Sequence, residues 1–147
     1  MEKINYIVFD GSAKDCYQAI DKCVEKLVEN NITDMEFSRY CKEREKEYPT
    51  GLPTSIPIAI PHASYDNIKN TSICIMKLEE PVDFYRMDES DSKVGVRMVF
   101  NIAAKDPNNH LTILQNLINI ISDENKLKEI VGLDNEELVS YLKEKVG

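Results

Sequence analysis

The sequence predicts a single α/β domain, with a mixed central sheet of about five strands flanked by helices. Three observations carry this. Apolar runs of strand length, INYIVF (4–9), TSICIMKL (71–78) and VGVRMVFNIAA (94–104), lie between segments whose apolar residues recur at helical spacing. The two patterns interleave along the chain rather than segregating into an all-strand and an all-helix half. The 147 residues, 42% hydrophobic and 30% charged, suffice for one core without disulfides or metals.

The first strand, 4–9, should end at Asp10-Gly11, and this start reads as a strand rather than a signal peptide. Ser12, with Asp15 three residues on, is expected to cap a helix built on Ala19, Ile20, Cys23, Val24 and Leu27 and ending near Asn30-Asn31. Thr33-x-x-Glu36 reads as a capping box for a second helix. Its stripe is Phe37, Tyr40, Cys41 and Arg44, and Pro49 stops it. PTGLPT (49–54) is a turn-rich loop. IPIAI (56–60) follows as a strand whose Pro57 implies an edge position or a bulge. PVDFYRMD is a short separate strand leading into a charged loop, 88–93. Pro107 opens a helix with apolar positions Leu111, Leu114, Leu117, Ile118 and Ile121. Two short helices, 123–131 and 134–145, separated by Gly132, close the chain.

Composition excludes several functions. Asp+Glu number 26 against 18 Lys+Arg, and the net charge of −8 repels phosphate backbones, so nucleic acid is not an expected partner. No apolar run reaches the roughly 18 residues a membrane helix needs, so no membrane insertion is expected. Cys16, Cys23, Cys41 and Cys74 form no CxxC pair and read as small core residues in a reducing cytosol. Two dispersed histidines make a poor zinc site, and no metal or cofactor is expected. GxxxxGK[ST], GxGxxG and GxSxG are all missing.

What remains are the two histidines. His62 follows IPIAIP directly, and His110 follows VFNIAAKDPNN in the first turn of the next helix. Sites in α/β sheets gather beyond the carboxyl ends of strands. A helix N-terminus offers free N–H groups and positive potential to an anion. Two imidazoles at such places suit a phosphoryl group. Arg44 sits in the charge run EREKE, which alone would read as a solvated face. Its stripe neighbours Phe37, Tyr40 and Cys41 place it near the buried side, where a charge needs a partner. Thr50, Thr54 and Ser55 are candidate hydroxyl donors. Neither histidine ring is expected in the core.

EREKEYPTGLPTSIPIAIPHA (43–63) and NIAAKDPNNHLTILQNLINIISDE (101–124) together resemble the IIA component of the bacterial sugar phosphotransferase system. The resemblance is to the fructose–mannitol superfamily, with PTGLPT most similar to its galactitol-type branch. It covers essentially the whole chain, 1–147, as one type-2 IIA domain. It implies that His62 accepts a phosphoryl group, that His110 supports it by a hydrogen bond or proton, and that Arg44 neutralises phosphate charge. It also implies two partners. A small phosphohistidine carrier, HPr, would donate, and a IIB component would accept on cysteine, serving a membrane IIC indirectly from the cytoplasm. The alternative is a regulatory module whose phosphorylation state another protein reads.

Overall fold

The computed structural model describes residues 3–147; Met1 and Glu2 of the expected domain lie outside the described residues. Five strands form one sheet: β1 (Asn5–Gly11), β2 (Gly51–Leu52), β3 (Ile58–Ala59), β4 (Ser72–Tyr85) and β5 (Lys93–Ala103). Their order is β1-β4-β5-β3-β2. β1 runs parallel to β4, β4 antiparallel to β5, β5 parallel to β3, and β3 antiparallel to β2, so the sheet is mixed as expected. The helices are α1 (Cys16–Glu29), α2 (Glu36–Glu47), α3 (Pro107–Ile121), α4 (Glu124–Gly132) and α5 (Asn135–Lys145).

The long central strands β4 and β5 are apolar on both faces because helices cover both. On one face, Ala19, Ile20, Cys23 and Leu27 of α1 and Phe37 and Cys41 of α2 pack against Cys74, Met76 and Val99. On the other, Ile113, Leu117 and Ile121 of α3, Leu127 of α4 and Leu138 and Leu142 of α5 cover Ile73, Ile75, Phe100 and Ile102. All four cysteines are free thiols; three are fully buried and Cys16 is half-buried. Among the described residues, no helix is long and apolar enough to cross a membrane.

Several boundaries differ from the sequence reading. α1 is capped by Asp15, whose carboxylate accepts from Gln18 N at 2.8 Å; a carboxylate is at least as good a cap as the Ser12 hydroxyl. Thr33 caps nothing. Its hydroxyl donates to Asn67 O at 2.7 Å, and Asp34 receives the N–H of Glu36 instead. PVDFYRMD is no separate strand but the continuation of β4 beyond an irregularity between Lys77 and Val82. β3 is only two residues long and is not an edge strand. β2, inside the expected loop, takes the edge, and Pro57 stands just before β3 and supplies a carbonyl to Arg97 N. On α3, Leu111 is 64% exposed and the buried stripe is Ile113, Leu117, Ile120 and Ile121. Leu111 precedes that stripe by two residues, which places it on another side of the helix.

Candidate functional site

The topology explains why two histidines 48 positions apart in the chain meet. β3 and β5 are parallel neighbours, so their carboxyl ends finish at the same edge of the sheet. The β3 segment keeps register with β5 past its last strand residue. Ile58 pairs Met98, Ala59 pairs Val99, and His62 still pairs Ile102. Just beyond, β5 turns through Asp106, which caps α3 by accepting from Asn108 N, and His110 is the fourth residue of that helix. The two rings meet edge to face, with centroids 4.7 Å apart and planes at 81°.

Contrary to the sequence reading, His62 is a core side chain, 6% exposed. A rigid Pro61 does offer the ring beyond β3, but β5 and α3 close over it there. Its Nδ1 lies 2.7 Å from Ile60 O. A carbonyl can only accept, so Nδ1 carries the proton, and in the neutral ring Nε2 keeps its lone pair. Burial, helped by His110 and Arg44, pulls the His62 pKa down to about 4, against the opposing effect of the Ile60 bond. The ring is neutral near pH 7. Burial and the Arg44 charge lower the His110 pKa as well. Its Nε2 is buried with no hydrogen-bond partner, one of two such side-chain atoms among the described residues. A buried ring nitrogen left unpaired costs about 1–3 kcal/mol, which a partner atom entering the site would relieve.

Arg44 lies in the last turn of α2, half-buried, its guanidinium 5.1 Å from the Tyr48 ring. Its charge is felt by both histidines, which places it in the same electrostatic neighbourhood. The hydroxyls fare differently. Thr50, 2% exposed, donates its proton to Glu45 Oε1 at 2.8 Å and accepts from Ile60 N at 3.2 Å, so nothing is left for a phosphate. Thr54 donates to Ile56 O. Thr54 and Ser55 line a hollow with Ser122 and Glu124 beyond the C-terminal end of α3. His110 is at the opposite end, roughly 18 Å away along the axis at 1.5 Å per residue. These two hydroxyls are not at the site.

Two site-shaping residues escaped the sequence reading. Glu45 continues the stripe Phe37-Cys41 at intervals of four, and that spacing was the available sign that this carboxylate is buried. Asn101 is the one polar residue within MVFNIAA, a run covered on both faces; its Nδ2 donates to Pro61 O at 3.3 Å. Beside His110, a depression of about 280 Å³ is lined by Tyr40, Ser64, Tyr65, Asp66 and Lys105. Exposed Tyr40 meets Tyr65 at a tilt, ring centroids 5.1 Å apart and planes at 38°, and the Tyr65 hydroxyl donates to Asp34 at 2.6 Å. No trio of His, Cys, Asp or Glu among the described residues is arranged to hold a metal.

The buried ionisable groups oppose one another with pH. His62, with a pKa of about 4 folded and an ordinary value of 6.5, is protonated only in the unfolded chain between those limits. Stability is therefore lost as pH falls from 6.5 toward 4. Glu45 is pushed by burial from 4.5 up to about 7, so between those limits the folded chain alone holds its proton. Stability is then lost as pH rises through that window. Each effect is on the order of 3 kcal/mol, so they nearly offset. Thermal melts of the parent should change little between pH 4.5 and 6.5. Glu45→Gln should lose stability steeply toward the acid end; a flat profile in that variant would contradict the assignment.

A five-stranded mixed sheet of this order, helices on both faces, is the architecture of the phosphotransferase IIA domains. The chain belongs to the family described as "Phosphoenolpyruvate-dependent sugar phosphotransferase system, EIIA 2", whose model matches residues 1–145. It is similar to the IIA mannitol protein of Escherichia coli, with 26% identity, a TM-score of 0.69, and 96% of this chain and 95% of that one covered. It is also similar to the IIA mannitol enzyme in complex with phosphorylated enzyme IIB mannitol from Escherichia coli (25% identity, TM-score 0.71, 95% and 93% covered). The nitrogen regulatory protein IIA-Ntr of Neisseria meningitidis shares the fold at 19% identity, with a TM-score of 0.75 and 99% and 97% covered. No curated protein matches the chain.

Proposed function

We propose that this chain, residues 1–147 acting as one domain, is a cytoplasmic phosphocarrier of a sugar phosphotransferase system, with His62 as the phosphoryl acceptor. One observation carries the reading: the Nδ1 of a neutral, buried His62 is committed to Ile60 O, leaving Nε2 as its only nucleophile, edge to face with a second imidazole. Membership of the EIIA 2 family supports it.

The donor is the phosphohistidine of HPr. Its N–P bond breaks as Nε2 of His62 bonds to phosphorus, and the electron pair returns to the donor's ring nitrogen. The group moving between them is spread negative charge, so the protein's task is positioning and electrostatic stabilisation. Arg44 opposes that charge, and the His110 Nε2–H donates a hydrogen bond to a phosphoryl oxygen and keeps its proton. The acceptor is a cysteine of a IIB component, whose thiolate displaces His62. Exposed Tyr40, Tyr48 and Leu111 offer apolar contact area to both partners in turn. The branch we propose is the galactitol type, and what supports it is the PTGLPT loop, part of which is built into edge strand β2.

The test is incubation with phosphoenolpyruvate, enzyme I, HPr and a galactitol-type IIB, followed by intact mass. We expect one phosphoryl increment on the chain that then moves to IIB. No increment overturns the phosphocarrier reading. A stable increment that no IIB accepts selects the regulatory alternative.

A further inference from the structure

We propose that Glu45 and Thr50 are positioning residues that set the tautomer of His62, by holding residue Ile60 so that its carbonyl meets Nδ1. The proposal rests on His62 being the phosphoryl acceptor and adds to that reading the reason Nε2 is the free nitrogen.

The geometry is a relay of four hydrogen bonds. Glu45 takes Thr50 N on Oε2 at 2.7 Å and Thr50 Oγ1 on Oε1 at 2.8 Å. Thr50 Oγ1 takes Ile60 N at 3.2 Å. Ile60 O takes the Nδ1 proton of His62 at 2.7 Å. Direction in this relay is forced. The Ile60 N–H can only donate, so a lone pair of Thr50 Oγ1 must face it, and the single hydroxyl proton turns to Glu45 Oε1, which accepts it once the carboxyl is ionised, above its raised pKa of about 7. Ile60 lies just past β3, where the pairing with β2 has ended. Its N–H has no ladder partner, and the Thr50 hydroxyl takes the place of one. Glu45 is 5% exposed and Thr50 2% exposed, so water has little access to substitute.

The next peptide is pinned from the other side. Pro61 O accepts from both Ile102 N at 2.9 Å and Asn101 Nδ2 at 3.3 Å. Three consecutive polar groups of the backbone before His62 are thus fixed: one by Glu45 and Thr50, one by His62 itself, one by β5. The loop that delivers Thr50 is fixed as well. A Cβ on Gly51 would fall 2.6 Å from Tyr85 O, so glycine alone lets β2 lie this close to the end of β4. If Ile60 shifts, the Nδ1 bond lengthens, and the proton is free to sit on Nε2. An Nε2–H ring cannot attack phosphorus.

The experiment reads the tautomer directly, from ¹⁵N resonances of the His62 ring in mildly alkaline solution, above the raised pKa of Glu45, with no phosphoryl donor present. The parent and Thr50→Ser, which keeps the hydroxyl, should show the proton on Nδ1. Thr50→Val, of equal size without the hydroxyl, and Glu45→Gln, which turns one accepting oxygen into a donor, should show substantial Nε2–H. In the same two variants kcat for acceptance from phospho-HPr should fall on the order of tenfold, with KM for HPr held. If Thr50→Val does not fold, Glu45→Gln decides by the same readout. A wholly Nδ1–H ring in the folded variants, or an Nε2–H ring in the parent, overturns the proposal. A parent with the expected tautomer that never gains phosphoryl mass overturns instead the assignment of His62 as acceptor, so the two failures appear in different measurements.

Discussion

His62→Ala is expected to gain no phosphoryl mass from phospho-HPr, however long the incubation. The loss is total because a covalent step loses its nucleophile, not a stabilising contact. His110 is not expected to substitute: its Nε2 is buried without a hydrogen-bond partner at the start of α3, whereas the Ile60 carbonyl fixes the tautomer of His62. The same substitution should also lower stability, because the ring is a packed, hydrogen-bonded part of the core. Losing it leaves a cavity and an unmet Ile60 carbonyl, about 1–3 kcal/mol for the latter alone. The mass assay is therefore run well below the melting point of the variant, checked by circular dichroism. Folded His62→Ala that accepts a phosphoryl group at the parental rate would show the nucleophile to be elsewhere.

The long elements were legible because their patterns are local. TSICIMKL and VGVRMVFNIAA are strands at any register, and their double-sided apolar character follows from helices on both faces. The positions of His62 and His110 after strands were equally visible, and parallel pairing of β3 with β5 makes that sequence position a spatial one. What escaped reading depends on distant partners. Thr33 has the spacing of a cap but spends its hydroxyl on Asn67, 34 residues away. Thr50 reads as a phosphate donor only while Glu45 is taken for one more solvated charge in EREKE; its burial turns both inward. The burial of His62 is likewise invisible locally, since β5 and α3 close over a residue that leaves its own strand.

His110→Ala should still gain one phosphoryl increment on His62, but roughly a hundred to a thousandfold more slowly than the parent. Removing one preorganised donor from developing negative charge typically costs about 2.7–4 kcal/mol of transition-state stabilisation, which is that range of rate. Burial is what gives the single donor this weight. The site lies largely out of water, so no solvent molecule stands ready to replace an imidazole N–H against a phosphoryl oxygen. The resting protein tells the same story from the other side. His110 Nε2 is held buried and unpaired, a standing cost that, on the proposed reading, a phosphoryl oxygen would remove. Stability should therefore move little in this variant, because deleting an unsatisfied buried atom offsets part of what losing the ring contact with His62 costs. Rapid-quench phosphorylation with excess phospho-HPr measures the rate, and a thermal melt checks the fold. His110→Gln, which restores a donor on a shorter, flexible arm, should recover part of the rate. A His110→Ala protein that accepts phosphoryl within a few-fold of the parental rate would remove His110 from the reaction, leaving Arg44 as the group opposing the charge.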